Sequence, residues 1–354
     1  MSGPTLSDVA NAAGVSYATA DRVVNNRGNV ARKSIDKVRD AVDKLGYVRN
    51  VAAANLSRGR VYRLAFLIPS GTNAFFNRVR GHILETAAHL SAESVTVEIV
   101  DVSAFSVDAL HDSIGQLSGE DYDGIAIVGL QSDRLAKPLA DLRARGVAVI
   151  SLVSDLPVAL RSAYIGIDNI VAGRTAARLT GMAHAGRSGV IQAFAGALDA
   201  QDHAERLQGF CDVIAADFPA LRVRDPILTK DDPEVMYAAA RAALQSDTAV
   251  TAFYNVGAGN VGMIKAISEA AQRRPFCAVH ELVAHSREAL HDNHIDLVID
   301  QRPDIEVNRA MALLRALIDD REPPPLPDLL PTIFVRDNLP ADLSNETTEA
   351  YTHD

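Results

Sequence analysis

Near the N-terminus, one short segment carries side chains that could read the edges of DNA bases. In SYATADRVVN, which begins at Ser16, the residues Tyr17, Ala18 and Arg22 fall on the face opposite the apolar positions. Arginine can donate two hydrogen bonds to O6 and N7 of guanine in the major groove. Small polar side chains suit phosphate oxygens instead. The phosphate contacts predicted on this basis are Ser16, Thr19 and Asn25.

A second set of side chains could bind a ligand that is rich in hydroxyl groups. Such a ligand needs flat apolar surfaces and planar polar groups, and the sequence places both kinds directly after apolar runs. Phe75 and Phe76 could instead be core residues, and Asp168 could simply cap the helix that follows it. The candidates after these runs are Asn73, Phe75, Phe76, Asp155, Asp168, Asn255, Glu281 and Gln301.

The DNA-reading side chains require a pair of short helices to position them. Thr5 or Ser7 can cap a first helix, Gly14 breaks it, and Ser16 can cap the second. Two helices joined by Gly-Val-Ser have the spacing of a helix-turn-helix. A solvated three-helix bundle with no partner is the alternative for the same pattern. A third helix, roughly 32–45 and ended by Gly46, is predicted to bury Ile35, Val38, Val42 and Leu45.

The ligand-binding side chains require parallel sheets. From Val61 onward, apolar runs such as RLAFLIP, VTVEIVD, GIAIVG and VAVISLV alternate with helical stretches. Strands interleaved with helices predict parallel sheets with crossover helices, and about ten strands in about 270 residues predict two such units. Residues 321–331, REPPPLPDLLP, are predicted to form a rigid connection, and a polar tail begins at about Asn338.

Charge is unevenly distributed along the chain. The 354 residues carry a net charge of −10, yet residues 1–60 hold ten Lys/Arg and five Asp, and the remainder holds 25 basic and 40 acidic residues. A basic segment on an acidic body favours a DNA-binding head. No apolar run approaches the roughly 18 residues of a membrane helix, and no export signal is expected. Cys211 and Cys277, which have no paired spacing, favour a reduced, cytoplasmic protein.

One motif indicates a different function. Gly257, Gly259 and Gly262 form a G-x-G-x-x-G pattern between a predicted strand and helix, as in dinucleotide-binding enzymes. An NAD-dependent oxidoreductase is therefore an alternative, although the motif falls late in the chain instead of opening a nucleotide-binding unit. The sequence has no nucleophile elbow or other catalytic signature, and its histidines lack convincing metal-ligand spacing. We predict no catalytic residues, no cofactor and no metal site.

The first 60 residues carry a family resemblance. TLSDVANAAGVSYATADRVVNNRGNVARKSIDKVRDAVDKLGYVRNVAAANLSRGR resembles the head and hinge of the lactose-repressor (LacI/GalR) family. Leu56 matches the hinge leucine that is wedged into the minor groove, where an apolar side chain kinks the duplex. Asp21 and Ala31 depart from the family pattern, which usually has Ser at the first position and commonly a hydroxyl at the second. The DNA contacts implied by the resemblance are Ser16, Tyr17, Ala18, Thr19, Arg22, Asn25, Asn50 and Leu56.

The body resembles periplasmic sugar-binding proteins, whose fold the sensor of this family shares. The segment Asn73-Ala-Phe-Phe is similar to a motif of pentose-binding proteins, and Arg206, in ERLQGF, matches their binding arginine. Glu281 stands where relatives usually have Asp. The implied fold is an all-α helix-turn-helix head plus an α/β two-lobed periplasmic-binding-protein-like domain. The implied domains are residues 1–48 for the head, 49–60 for a hinge helix, 61–340 for effector binding and dimerisation, and 341–354 for a polar tail.

Together these features predict a sequence-specific DNA-binding transcriptional regulator, a repressor and not an enzyme. A small sugar or polyol between the lobes would control its affinity for the operator. Two heads of a homodimer would grip a palindromic double-stranded DNA operator. No membrane partner is expected, and the protein would be cytoplasmic and nucleoid-associated when bound to DNA. A sugar-binding transport protein is the remaining alternative, which the basic head and the missing export signal disfavour.

Overall fold

A computed structural model describes residues 4–24, 30–47, 61–117, 120–246, 250–270 and 274–340. Within these ranges the chain forms a three-helix head and an α/β body of two lobes, as the sequence predicts. The predicted hinge at 49–60 and the predicted tail at 341–354 lie outside the described residues. The three boundaries between the four predicted domains therefore stay predictions.

Local side-chain chemistry sets the helix ends in the head. Helix α1 (Leu6–Ala13) begins at Thr5, whose hydroxyl accepts a hydrogen bond from Asp8 N at 3.3 Å. The Asp8 carboxylate in turn accepts one from Thr5 N at 2.8 Å, which completes a capping box. Gly14 ends the helix with φ of 63°, a conformation that glycine adopts at little cost. Helices α2 (Tyr17–Val24) and α3 (Arg32–Leu45) complete the head.

The three helices enclose a small core that includes Val9, Ala20 and Val38. Two further residues predicted on the inner face of α3, Ile35 and Val42, pack against this core. The prediction for the fourth, Leu45, is wrong, because its side chain is 38% exposed. Leu45 lies in the last turn of α3, and Tyr47 beyond the helix packs against the core instead.

The first lobe is built on a five-stranded parallel sheet. It contains β1 (Tyr62–Pro69), β2 (Val95–Val102), β3 (Gly124–Ile127), β4 (Ala148–Leu152), β5 (Ala163–Ile165), α4 (Ala74–Leu90), α5 (Val107–Leu117) and α6 (Ala136–Ala144). The strand order is β2-β1-β3-β4-β5. Strand β1 is buried along most of its length because apolar layers cover both faces of the sheet.

The second lobe is built on a six-stranded sheet in the order β11-β10-β9-β8-β6-β7, in which β11 pairs antiparallel to β10 and the other pairs are parallel. Its strands are β6 (Gly189–Ala195), β7 (Leu221–Leu228), β8 (Ala252–Asn255), β9 (Phe276–His280), β10 (Leu297–Asp300) and β11 (Thr332–Phe334). Its helices are α7 (Asn169–His184), α8 (Gln201–Asp217), α9 (Pro233–Leu244), α10 (Asn260–Ser268) and α11 (Ala284–His291).

The strand order reverses direction between β1 and β3 in the first lobe and between β6 and β8 in the second. Open α/β sheets bind ligands at such switch points.

The described chain crosses between the lobes three times. It passes from β5 to α7, from β10 to α12 (Pro303–Ile318), and from α12 back to β11. Helix α12 belongs to the first lobe, since Val307 and Leu314 pack in the same core as β1 and β4. Residues 321–331 make the last crossing without helix or strand, where the sequence predicts a rigid connection. In the described ranges, every helix is too short or too polar to cross a membrane.

Two strands escape the sequence-based prediction because their patterns are weak. Strand β7 reads LRVRDPIL, in which charged residues and Pro226 interrupt the apolar run. It forms an edge of its sheet, where proline is tolerated, and its pairing with β6 shifts register between Gln192 and Phe194. Strand β11 has three residues and also lies at an edge.

Two glycines allow α7 and α8 to pack unusually closely. A methyl group on Gly173 of α7 would lie 1.9 Å from the carbonyl oxygen of Arg206 in α8. A methyl group on Gly209 of α8 would lie 2.2 Å from the carbonyl oxygen of Ile170 in α7. Both distances are far shorter than van der Waals contact, so only glycine permits this approach. The close packing brings Arg206 next to the start of α7.

We therefore expect Gly173→Ala to destabilise the protein by about 1–3 kcal/mol, the usual cost of overpacking a tight contact. Gly115→Ala is the matched control, because Gly115 is an exposed position of α5 and a methyl group there meets nothing within 4 Å. The control should be neutral or stabilising by about 0.5–1 kcal/mol, since alanine is the better helix former. Thermal unfolding midpoints measure both changes, and equal midpoints for the two variants would contradict the packing argument.

Candidate functional site

The exposed face of α2 presents the residues predicted to contact DNA bases. Tyr17 is 57% exposed, and Ala18 and Arg22 are also exposed. Ser16 caps α2, because its hydroxyl accepts a hydrogen bond from Thr19 N at 3.1 Å and lies 2.8 Å from the Thr19 hydroxyl. The two hydroxyls therefore stabilise the start of the helix as well as lying at its surface. Three further predicted DNA contacts, Asn25, Asn50 and Leu56, lie outside the described residues.

A cleft of about 220 Å³ separates the carboxyl ends of the two sheets. Most of the lining lies at the carboxyl ends of strands or in the segments that follow them, which is the arrangement that the alternating pattern predicts. The first lobe supplies apolar rings and small polar groups, and the second lobe supplies ionisable groups. The cleft is lined, among other residues, by Asn73, Phe76, Phe105, Ser154, His203 and Asp231.

Direct hydrogen bonds join the two lobes beside the cleft. Asn73 of the first lobe donates from Nδ2 to Oδ2 of Asp231 at 3.2 Å. Arg78 donates from Nη1 to the carbonyl oxygen of Leu282 at 2.9 Å and to Oδ2 of Asp300 at 2.8 Å. The two lobes are therefore closed against each other through polar contacts that can break and re-form as the cleft opens.

Arg206 lies in the second turn of α8 beneath the cleft, not at the end of a strand, and its side chain is buried. Its Nε donates to Oδ1 of Asn169 at 2.8 Å, and its Nη1 donates to the carbonyl oxygen of Val256 at 2.9 Å. Carboxylate oxygens of Asp202 and Glu281 lie 3.9 Å and 3.8 Å from Nη1. Among the described residues, Nη2 has no hydrogen-bond partner. A ligand oxygen could therefore accept from it.

Glu281 and Gln301 meet beside Arg206. Gln301 Nε2 donates to Oε1 of Glu281 at 2.6 Å, while Glu281 Oε2 and Gln301 Oε1 have no partner in the described part of the chain. Burial, together with the nearby Asp300 charge, raises the pKa of the Glu281 carboxyl to about 8. At neutral pH this carboxyl is therefore mostly protonated and can donate as well as accept. Such paired polar groups suit the hydroxyls of a sugar.

Asn255 is buried at the end of β8, but its hydrogen bonds are local. Its Nδ2 donates to Oδ1 of Asn260 at 2.7 Å and to the carbonyl oxygen of Ala258 at 2.9 Å. Its Oδ1 accepts from Gly257 N at 3.3 Å. Asn255 thus shapes the loop after β8, and Asn260 extends this network to the carbonyl oxygen of His280 at 3.1 Å.

Two predicted carboxylates border a different groove, which residues 326–330 help to form. Asp155 accepts two hydrogen bonds of 2.6 Å from Arg161, so its charge is already neutralised. Asp168 is exposed and caps α7 by accepting from Val171 N at 2.9 Å. The structure therefore brings neither of them into the cleft, and both have a structural role where they are.

The two phenylalanines that follow Asn73 separate. Phe76 lines the cleft, whereas Phe75 is buried in the first-lobe core and reaches only a small side cavity. Their rings pack edge to face at 5.2 Å. A sugar in the cleft would contact Phe76 and not Phe75.

The cleft residues that sequence reasoning missed include four with rings or ionisable groups. Asp202 and His203 open α8, Asp231 follows the unrecognised strand β7, and Phe105 follows β2. The Phe105 ring lies 5.7 Å from that of His203 across the cleft. The pair Asp232-Pro233, a typical helix start, was the available signal for a preceding strand end. Asp232 does cap α9, by accepting from Glu234 N and Val235 N.

The glycine motif after β8 has a physical role other than binding a dinucleotide. A methyl group on Gly262 would lie 1.9 Å from the carbonyl oxygen of Pro233, so this glycine permits close packing of α9 and α10. A methyl group on Gly257 would lie 2.5 Å from Oδ1 of Asp231, which accepts from Ala258 N at 2.9 Å. A carboxylate thus occupies the place that a pyrophosphate would need, and like charges repel there. The oxidoreductase alternative is not supported.

Comparison with known families divides the chain in the same way. Residues 64–322 match the family described as periplasmic binding protein domain, and residues 5–50 match the family described as bacterial regulatory proteins, lacI family. The transcriptional regulator DegA of Bacillus subtilis is 28% identical over 180 residues, which are 49% of this chain and 50% of DegA. The regulator CelR of Thermobifida fusca is 29% identical over 218 residues, 60% of this chain and 62% of CelR. The chain thus spans half to two thirds of the length of these two relatives.

Solved structures with the same fold cover the body. A solute-binding protein of an ABC transporter from Burkholderia graminis, in complex with D-arabinose, has a TM-score of 0.71 and 24% identity over 78% of this chain and 96% of that chain. GanP, a glucose-galactose binding protein from Geobacillus stearothermophilus, has a TM-score of 0.71 and 18% identity over 79% of this chain and 99% of that chain. At these identities the likeness establishes the two-lobed fold.

The raised pKa of Glu281 predicts a dependence of stability on pH. Because the folded pKa is about 8 and the ordinary value is 4.5, the protonated carboxyl stabilises the fold fully at low pH. This contribution is lost as the pH rises through about 8. Glu281→Gln keeps a neutral side chain at every pH, so its unfolding midpoint should rise relative to wild type between about pH 5.5 and about pH 8.5. A difference that stays constant over this range would contradict the assignment.

Proposed function

Because the chain belongs to the lacI family of bacterial regulatory proteins and its body to the periplasmic binding protein domain family, we propose that it represses transcription under the control of a small sugar or polyol. The head would bind a palindromic operator, and the cleft would bind the effector. The observation that carries the proposal is the combination, in one chain, of an exposed recognition face on α2 and a polar cleft at two switch points. Neither an enzyme nor a transport component needs that combination.

The size of the cleft supports a single sugar ring. Pockets for drug-sized ligands hold about 300–1,000 Å³, and this cleft holds about 220 Å³. Outside the lining of this cleft, Arg206 has a buried donor, and Glu281 and Gln301 have buried oxygens, that lack a partner among the described residues. Hydroxyl groups both donate and accept, so a polyol can satisfy all three.

The lobes supply the means of control. Direct bonds such as Asn73 to Asp231 form only when the lobes are closed, so closed and open arrangements differ in their contacts. An effector that bridges both walls binds the closed arrangement better and shifts the population toward it. An effector with equal affinity for both arrangements would shift nothing. We further propose that the chain acts as a homodimer, because two heads are needed for two half-sites.

The head is tested by selecting binding sites from random double-stranded DNA with the purified full chain. Arg22→Ala should change the selected sequence at one position per half-site, because a bidentate guanine contact is worth about 1–3 kcal/mol of discrimination. Lys37→Ala, which removes an exposed charge from α3, should leave the selected sequence unchanged. If Arg22→Ala weakened operator and random DNA equally, Arg22 would be a phosphate contact and the base-reading role would be excluded.

The cleft is tested by titrating the selected operator complex with pentoses, hexoses and polyols. Arg206→Lys keeps the positive charge near Asp202 and Glu281 but loses the guanidinium fork. We expect the concentration of the active sugar at half-maximal response to rise about ten- to a hundredfold. Operator binding without sugar, measured alongside, separates this effect from loss of folded protein. A response at the wild-type concentration would exclude Arg206 from the effector site.

A further inference from the structure

Asp231 occupies the switch point of the second lobe, between the ends of β6 and β8. A methyl group on Gly196, which follows β6, would lie 2.5 Å from Oδ1 of Asp231, and one on Gly257, after β8, would lie at the same distance. The carboxylate therefore fills the gap between the two strand ends. This gap is where an open α/β sheet receives its ligand.

The carboxylate of Asp231 faces ligand space on two sides. It borders both the cleft and a side cavity of about 50 Å³ that Glu281 and Asn260 also line. Its Oδ2 accepts from Asn73 Nδ2 at 3.2 Å and its Oδ1 accepts from Ala258 N at 2.9 Å. A carboxylate offers about four lone-pair positions, so further donors can be received.

The backbone holds this side chain in place at a cost. Lys230 and Asp231 have φ of 53° and 58°, so two consecutive residues other than glycine are left-handed. Such strain is tolerated mainly where the surrounding structure and function require it. Here the carboxylate lies between the two strand ends, while Lys230, which also lines the cleft, is exposed.

The cleft wall around Asp231 carries a further acidic side chain. Asp202 lines the same wall, and its Oδ2 lies 3.7 Å from Nε2 of His203. Burial raises the pKa of the Asp231 carboxyl, while the nearby His203 and the hydrogen bond from Ala258 oppose this. A desolvated carboxylate of this kind gains from each added donor and repels an added anion.

We propose that Asp231 is the specificity-determining residue of the cleft, which accepts hydrogen bonds from the hydroxyls of a neutral sugar or polyol and excludes sugar acids and sugar phosphates. This inference rests on the proposed function, because it concerns the effector of the same site. On this inference, the negative charge of Asp231 makes the effector a neutral compound and not an anionic one.

The test compares matched neutral and anionic ligands by calorimetric titration of the full chain. The pairs are D-glucose with D-glucuronate, D-galactose with D-galacturonate, and myo-inositol with myo-inositol 1-phosphate. The variant Asp231→Asn is nearly isosteric, and asparagine tolerates the left-handed backbone well. Glu234→Gln is the matched control, since it removes one negative charge from an exposed side chain three residues away that does not line the cleft.

Wild type should bind a neutral member at least about tenfold more tightly than its anionic counterpart. Asp231→Asn should weaken binding of the neutral member about ten- to a hundredfold. It should also reduce the ratio of the anionic ligand's dissociation constant to that of the neutral ligand about tenfold. Glu234→Gln should leave the ratio of the two dissociation constants unchanged. Asp231→Glu, which keeps the charge on a longer arm, should lose affinity for the neutral member but still exclude the anionic one. This second variant keeps the charge argument testable if Asp231→Asn folds poorly.

The outcomes distinguish a failure of this inference from a failure of the proposed function. An unchanged ratio in Asp231→Asn, or tighter binding of an anionic member by wild type, would overturn the inference and leave the regulator intact. If wild type bound no member of any pair, both the sugar-effector proposal and the inference would be overturned. The DNA selection with Arg22→Ala would still decide the role of the head.

Discussion

The guanidinium of Arg206 is fully buried in the second lobe, and several surrounding elements are arranged to satisfy it. Removing a charge from water costs several kcal/mol unless partners replace the lost hydration. Asn169 at the start of α7, the carbonyl oxygen of Val256 after β8, the Asp202 carboxylate on α8 and the Glu281 carboxyl after β9 replace it here. The tight contact of α7 with α8, which depends on glycine, is what brings Asn169 within 2.8 Å. The sequence positions of these partners span more than a hundred residues, so the charge helps to fix how the lobe closes around its switch point.

A second buried ionisable group lies next to a crossing between the lobes. Burial raises the pKa of the Glu306 carboxyl, in the first turn of α12, well above its ordinary value. Val153, Glu281 and Arg302, which follow β4, β9 and β10, all have positive φ between 61° and 72°. Of these three residues, Arg302 lies at a crossing between the lobes, where β10 leads into α12.

Much of this arrangement could be predicted from the sequence, and the failures have physical causes. The alternation of apolar runs and helices predicts the two sheets. It also places Asn73 and Glu281 at the carboxyl edges of these sheets, because the carboxyl ends of parallel strands lie at the same edge. The pattern does not show which side of that edge a side chain faces. Asp155 is neutralised by Arg161, six residues later, and Asp168 bonds to its own helix, and neither partner has a recognisable spacing. Asp231 was missed because Pro226 and charged residues obscure β7, so no strand end was expected before it.

The glycine motif after β8 shows why a spacing must be interpreted through the space it creates. Glycines at these positions let a backbone approach closely and let two helices pack, and a dinucleotide fold uses both properties to admit a pyrophosphate. Here Gly262 permits the same helix packing, but the room over Gly257 is filled by the Asp231 carboxylate. That carboxylate accepts from Ala258 N, the kind of backbone donor that would otherwise bind phosphate. The same glycine spacing therefore serves a site that binds an anion in the dinucleotide fold and a loop that repels an anion here. The residue that decides between them lies outside the motif, about 25 positions earlier in the chain.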